Sequence, residues 1–244
     1  MDTGLFVYAV VRADRDLPSG LSGVDGSGVA LVPHGDLGAV VSDFAEGGRT
    51  GRRADLAAYS AVMEALVPGG AVAPIRFGLV VPDDSAVVSE LLAPREQQLS
   101  SLLEWLDGQV QYNVRATYVE DAILAELVHG YPEIAELRER TRGLPEDVGI
   151  GERIKLGELV SRAWEQLARD DAERLLATLV PMSTAHTVRR APSPQAAVDA
   201  ALLVETERAQ ELEDAMEDMA EQAVGRMRLR LLGPLAPYDF VGAA

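Results

Sequence analysis

The order of strand-like and helix-like patterns after residue 110 constrains this fold more than any other feature. Apolar or aromatic side chains occupy every second position from Tyr112 to Tyr118, which is typical of a half-buried antiparallel strand. The patterns that follow predict, in order, a helix at 150–179, strands at 183–190 and 198–205, a helix at 206–224 and a strand at 226–232. Strand, helix, strand, strand, helix, strand is the order of the split βαβ, or ferredoxin-like, fold. We therefore expect two helices on one face of a four-stranded sheet, whose other face can meet another domain or a partner.

The first third of the chain has a less regular pattern. Residues 5–11 form a nearly unbroken β-branched and aromatic run, which favours a central strand buried on both faces. The segments that follow predict a loop at 18–28, a hairpin of 29–32 with 37–42, a helix from 52 or 55 to 67, a strand at 72–81 and helical residues from 83 to 106 broken before Pro94. Together these patterns predict a second, smaller α+β unit before the ferredoxin-like one. Helical residues at 121–142, interrupted at 130–132, follow later, within the C-terminal part of the chain.

We accordingly expect an α+β protein of two domains and a tail. The N-terminal α+β domain is placed at 1–108, and the C-terminal ferredoxin-like domain at 109–233, with a helical insertion at about 120–145. Residues 234–244 form the tail.

The charge and composition exclude several classes of protein. The 39 acidic residues outnumber the 22 basic ones and give a formal net charge of −17, so nucleic acid and anionic lipid surfaces are repelled. The chain contains no cysteine, which excludes disulfides and thiolate chemistry. Its apolar runs are too short for a membrane helix, which needs about 20 residues, and its first residues lack a secretory signal pattern, so we expect a cytoplasmic location.

Sequence motifs with a known catalytic mechanism are absent. The chain lacks a phosphate-binding Gly-Lys-Ser/Thr loop, a His-Glu-x-x-His helix and a Gly-x-Ser-x-Gly turn, and its three histidines lie in different predicted elements. We expect no enzyme activity, no cofactor and no metal. The alternative is a ligand-binding or enzymatic ferredoxin-like module acting on a small molecule, because this fold hosts many functions. Its candidate residues, with a carboxylate as acid or base, are Arg115, Glu120, Asp121 and His186.

The final residues combine proline with aromatic side chains. Pro234 and Pro237 each fix a φ angle and remove a backbone donor, so this segment cannot lie inside a sheet. Tyr238 and Phe240 nevertheless favour burial. One interpretation is a tail that caps its own domain, and the other is an arm that docks a partner.

Two charged surfaces also have two interpretations each. The helix at 206–224 carries carboxylates four residues apart, where like charges repel one another by a few tenths of a kcal/mol per pair. This face is either solvated or recognises a basic partner. Arg226, Arg228 and Arg230 form a basic row on the last strand, either to neutralise nearby carboxylates or to bind a partner.

Four segments of the chain, in order, resemble landmarks of the GvpL/GvpF family of gas vesicle proteins. These are the first strand, a Pro-x-Arg-Phe-Gly segment, a Leu-x-Gly strand opening and a Gly-Pro-Leu-x-Pro-Tyr-x-Phe ending, found here at 6–11, 74–78, 106–114 and 233–240. The chain departs from the family pattern at three positions. Gln111 stands where the family often has Glu, Ala236 replaces a proline, and Asp239 stands where Ser is common.

The resemblance implies a non-catalytic accessory protein of gas vesicle formation. It implies as partners the small hydrophobic shell protein, whose assembly the protein would assist or nucleate, and other gas vesicle accessory proteins. We expect the partner-binding residues to include Arg76 and Phe77, because arginine and aromatic residues dominate binding hot spots. The tail residues Pro234, Pro237, Tyr238 and Phe240 complete this set. An internal Arg76 that bridges the two domains is the alternative for that segment.

Overall fold

The first sheet is built around β1 (Thr3–Arg12), whose residues from Phe6 to Val11 are buried. On one side β1 pairs with β3 (Leu37–Ala45), and β3 pairs with β2 (Val29–His34) in the predicted hairpin. On the other side β1 pairs with two short strands, β4 (Ala73–Pro74) and β5 (Val80–Val81). All these pairings are antiparallel. They come from a computed structural model that describes residues 3–45, 51–145, 148–190 and 193–242.

Helices cover both faces of this sheet. Successive residues of β1 point to opposite sides, so both faces carry apolar side chains that need to be covered. Phe6 and Tyr8 pack in a cluster with Tyr59 and Met63 of α1 (Arg53–Leu66). On the other face Val7 and Val10 share a cluster with residues of a second helical stretch. That stretch consists of α2 (Asp84–Ala86), a π-helical segment (Val87–Leu92), a 3-10 turn (Ala93–Arg95) and α3 (Glu96–Trp105). The central strand and the helix break at Pro94 are therefore confirmed.

The second sheet contains four strands in the order β7-β8-β6-β9. Their bounds are β6 (Gln109–Tyr118), β7 (Ala185–Val188), β8 (Ala196–Glu205) and β9 (Met227–Leu235). Helices connect these strands: α4 (Glu120–Gly130), α5 (Pro132–Thr141) and α6 (Ile150–Leu179) lie between β6 and β7, and α7 (Ala209–Gln222) lies between β8 and β9. The long helix agrees with its predicted bounds, and the predicted interruption after Gly130 is confirmed.

The chain divides into two compact units. The first comprises Met1–Tyr112, Leu203–Glu207 and Gly233–Ala244, and the second comprises Asn113–Leu202 and Arg208–Leu232. An α+β class with two antiparallel sheets is therefore correct for this protein.

Three predicted strands differ from the observed ones. The strand predicted at 72–81 exists only as β4 and β5, because Pro74 offers no N–H and Gly78 has a positive φ of 95°. β7 is shorter than predicted. The last strand continues to Leu235 and so includes Pro234, which an edge strand such as β9 tolerates. The connection between the strands predicted at 183–190 and 198–205 lies partly outside the described residues.

Candidate partner-binding surface

The C-terminal tail folds back on its own unit. Ala236 is 3% exposed and Pro237 is buried. Asp239 makes two hydrogen bonds with Gln111: the Gln111 Nε2 donates to Asp239 Oδ2 at 2.6 Å, and the Asp239 N–H donates to Gln111 Oε1 at 3.0 Å. The tail therefore caps its own unit, as one of the two interpretations holds. It still leaves Tyr238 40% exposed and Phe240 partly exposed.

Tyr59 of α1 brings the tail and the 76–77 segment together. Its ring lies 5.3 Å from the ring of Phe77, edge to face, and 6.4 Å from the ring of Tyr238. Its hydroxyl donates to the carbonyl of Ile75 at 2.7 Å, which fixes the backbone directly before Arg76. Two segments far apart in sequence, predicted separately as contact regions, thus meet at one aromatic side chain.

The exposure of these residues distinguishes two roles. Arg76 is exposed and makes no ion pair within the described ranges, so the alternative of an internal arginine is wrong. Phe77 is half-buried and joins the aromatic cluster at the face of the first sheet. Pro234 is exposed. Pro237 is buried, so it is suited to shape the tail rather than to contact a partner.

A second aromatic contact lies where the tail ends. The ring of Phe240 is 6.4 Å from that of Trp105, and Trp105 is 44% exposed at the end of α3. Trp105 and Tyr59 are not among the residues that the sequence predicts to bind a partner. Trp105 was detectable, because the apolar stripe of α3 runs through Leu99 and Leu103 and does not include it. Tyr59 lies on the apolar stripe of its helix, and its contacts with both Phe77 and Tyr238 are evident only from the folded structure.

Burial affects the hydroxyl groups of both Tyr59 and Tyr238. Burial, and then the neighbouring Tyr59 hydroxyl, raise the pKa of Tyr238. Burial also raises the pKa of Tyr59. The adjacent cleft, lined by Met63, Val67 and Ala236 among others, has a volume of only about 90 Å³. Small-molecule sites are typically about 300–1,000 Å³, so this surface suits insertion of a side chain rather than a metabolite.

The residues proposed for the alternative, a catalytic module, are not assembled into a site. Arg115 on β6 donates to Asp199 Oδ2, Glu120 and Asp121 open α4, and His186 lies exposed on β7. No hydrogen bond or ion pair joins these four in the part of the chain that the structure describes. The same residues contain no cluster of three or more metal-ligating side chains. No helix within the described ranges has the length and apolar character of a membrane span.

Comparisons with known proteins identify the class. Residues 4–242 match the family described as "Gas vesicle synthesis protein GvpL/GvpF". The chain is 35% identical to gas vesicle protein F of Streptomyces sp. (strain CB03234), covering 97% of this chain and 98% of that one. It is 30% identical to gas vesicle protein L of the same organism, with 98% and 93% covered. The crystal structure of GvpF from Anabaena sp. PCC7120 is similar in fold, with a TM-score of 0.84, 22% identity and 99% of each chain covered.

This chain therefore belongs to the GvpL/GvpF family, whose members take part in gas vesicle formation. The family resemblance drawn from four sequence landmarks is confirmed. The match extends over both units, so it does not depend on the tail alone.

Proposed function

We propose that this protein assists or nucleates gas vesicle assembly by binding the small hydrophobic shell protein, without catalysing a reaction. The observation that carries this proposal is the surface formed by half-buried Phe77 and partly exposed Tyr238 around Tyr59, with exposed Arg76 next to Phe77 in the chain and Trp105 against Phe240 of the same tail. Arginine, tyrosine and tryptophan are the residues that most often dominate binding energy. Pro234 and Pro237 hold the tail in place to present them.

The strong negative charge supports the same role. A shell subunit exposes apolar surface before it assembles, and such surfaces associate indiscriminately. A carrier with a net charge of −17 would help to keep its complex with an apolar subunit dispersed in water. We also propose a cytoplasmic, gas vesicle associated location, contacts with other gas vesicle accessory proteins, and no nucleic acid or lipid membrane partner.

We further propose that the C-terminal part, residues 109–233, is a ferredoxin-like domain, with 1–108 as the N-terminal domain and 234–244 as the tail. The strand order β9-β6-β8-β7 supports this, because a split βαβ unit places its fourth strand beside its first and its third beside its second. The helical segments α4 and α5 then correspond to the insertion at about 120–145.

The test is capture of a co-expressed gas vesicle shell protein by the tagged full chain, read by immunoblot. The variant is Arg76→Ala/Tyr238→Ala, which removes the exposed arginine and the exposed phenol. We expect captured shell protein to fall about tenfold or more, since each hot-spot residue is worth about 2 kcal/mol or more. Truncation after Leu232 is a poorer test because it also removes the buried Ala236 and the Asp239 partner of Gln111.

The matched control is Arg53→Ala/Tyr131→Ala. Tyr131 is 40% exposed, as Tyr238 is, and Arg53 is an exposed arginine, but both lie away from the tail in the sequence. This control should capture shell protein as the unchanged protein does. Unchanged capture by the folded Arg76→Ala/Tyr238→Ala variant would refute the surface, and failure of the unchanged protein to capture any shell subunit would refute the function.

A further inference from the structure

Arginines line one face of the second sheet, opposite the apolar side of its strands. Arg115 of β6 is 51% exposed at its side chain, and Arg228 and Arg230 of β9 are exposed. Their neighbours in sequence, Ala116 and Met227, are buried, so the arginines occupy the other face of each strand. A basic face is unexpected on a chain with a net charge of −17.

The register of β6 and β9 places two of these cations side by side. The N–H of Val119 donates to the carbonyl of Arg226 at 2.9 Å, and Gly233 lies against the ring of Tyr112. Both contacts fit one antiparallel register. Tyr112 and Val119 on β6 are separated by as many positions as Arg226 and Gly233 in the facing segment. Continued along the strands, that register sets Arg115 opposite Arg230. Like charges directly opposite each other destabilise a sheet, so this arrangement has a cost.

Neutralisation within the chain explains only part of the arginine row. Arg226 pairs with Glu126 and Asp171, as predicted for one interpretation of the row. Arg115 pairs with Asp199, which is also bonded to Arg189. Arg228 and Arg230, in contrast, make no hydrogen bond or ion pair with any described residue. Arg228 and Arg230, which are exposed and lie beside Arg115, therefore have no carboxylate partner among the described residues.

The carboxylates that would complement this face are on α7. The helix carries no basic residue, and its acidic residues are all exposed: Glu211, Glu213, Asp214, Glu217, Asp218 and Glu221. Of these, Glu211 pairs with Arg208. The helix buries Leu212 and Met216, which turns the carboxylates to the opposite side. Within the described residues no ion pair links α7 to Arg228 or Arg230.

The two surfaces match in spacing as well as in sign. Carboxylates four residues apart on a helix, such as Glu217 and Glu221, are about 6 Å apart along its axis. Arginines two residues apart on a strand, such as Arg228 and Arg230, are about 6.7 Å apart. An α7 helix laid along β9 would therefore present successive carboxylates to successive arginines.

We propose that the arginine face, formed by Arg115, Arg228 and Arg230, binds the acidic face of α7 from a second copy of this chain. The contact is head-to-tail, since it joins different surfaces of the two copies, and each added copy leaves one surface of each kind open. Each exposed ion pair contributes about 0–1 kcal/mol, so the association is weak, and salt weakens it further. This proposal is independent of shell-protein binding.

The test is the weight-average mass of the full chain, measured by sedimentation equilibrium over a range of protein concentrations at about 30 mM and 300 mM salt. We expect the mass to rise with concentration at low salt and to return to that of a monomer at high salt. Arg228→Glu/Arg230→Glu and Glu217→Arg/Glu221→Arg should each be monomeric at low salt. Their equimolar mixture should regain the association, because each variant then supplies the surface that the other has lost.

A control variant separates this contact from a general effect of charge. Arg162→Glu/Arg169→Glu reverses two exposed arginines of α6 and changes the net charge by the same amount as the β9 variant. It should associate as the unchanged protein does, and circular dichroism checks that every variant is folded. A monomer under all conditions, association that survives the β9 reversal, or a mixture of folded variants that stays monomeric would each overturn the proposal. Binding of the arginine face to an acidic segment of another protein would produce the first of these outcomes.

Discussion

At the scale of single residues, the attachment of the tail depends on the pair formed by Gln111 and Asp239. Gln111 is 1% exposed, and its amide both donates to and accepts from Asp239. These are two of the three positions that the sequence resemblance marks as departures from the family pattern, Gln for Glu and Asp for Ser. The two departures are physically linked: a neutral amide can donate to the Asp239 carboxylate, whereas a glutamate at 111 would place two carboxylates together.

We therefore predict that Gln111→Glu destabilises the protein by about 2–3 kcal/mol at neutral pH, because a buried carboxylate would replace the amide that donates to Asp239 Oδ2 and would face that like charge. The pKa of the introduced carboxyl group would be raised in the folded state. The loss should accordingly be absent below about pH 4 and grow as the pH rises toward that raised pKa. Denaturant unfolding at several pH values measures it.

The control for this prediction is Gln111→Glu/Asp239→Ser, which restores the residues common in the family. A serine hydroxyl can donate to the introduced carboxylate, so the double variant should recover most of the lost stability. An equal loss in the single and double variants would show that the two positions are not coupled.

Residue-level roles are the least predictable part of the surface. Strand alternation assigns Gln111 to the polar face of its strand, which is correct for direction but gives no sign of its burial under the tail. The interpretation of Arg76 as an internal arginine fails because the residue is exposed. The burial of Gln111 depends on the distant tail, which the local sequence pattern does not contain.

At the scale of elements, α6 is fixed to its sheet by a buried charged group in its C-terminal half. Asp171 is 2% exposed and accepts from the Tyr118 hydroxyl at 2.6 Å and from Arg226 Nη2 at 2.7 Å. Arg226 also contacts Glu126 of α4 and lies over the Tyr118 ring. Burial, and then the hydrogen bond to Asp171, raise the pKa of Tyr118. One carboxylate thus joins α6 to β6 and to the residue that precedes β9.

We predict that Arg226→Met lowers the free energy of unfolding by about 3 kcal/mol, because it leaves the Asp171 carboxylate buried with its charge less compensated. Adding Asp171→Asn to this variant should recover part of the loss, since an amide has no charge to compensate and can still accept from Tyr118. The coupling energy between Arg226 and Asp171 is obtained from denaturant unfolding of four proteins: the unchanged protein, both single variants and the double variant. Additive losses would show that Asp171 and Arg226 act separately.

Helices are predicted more accurately than strands, and the reason is physical. The α6 and α1 helices follow from local spacing of apolar residues over many turns, and their predicted bounds are close to those observed. The strand expected at 72–81 is present only as β4 and β5, because Pro74 lacks an N–H, Gly78 has a positive φ, and the Ile75 carbonyl accepts from the Tyr59 hydroxyl. Short strands form only where another strand pairs with them, and the local sequence does not show which strand that is.

At the scale of the whole molecule, the chain is stabilised by packing around buried phenols, with no disulfide available. Tyr8 and Tyr59 lie in the first unit and Tyr118 in the second. Burial is the leading cause that raises the pKa of each. Both units therefore depend on phenols that remain protonated, and this property belongs to the molecule as a whole.

We predict alkaline unfolding that begins as the pH rises above about 10, the ordinary pKa of tyrosine. Because the folded-state pKa values are raised, the stabilisation is complete below that pH, and each such phenol then removes about 1.4 kcal/mol per pH unit. Tyrosinate absorbance and circular dichroism, followed together, should change in one step. The Tyr118→Phe variant, which cannot ionise at that position, should lose stability less steeply with pH, although it forgoes the bond to Asp171. Ionisation of all the tyrosines near pH 10 while the secondary structure stays intact would contradict this account of the core.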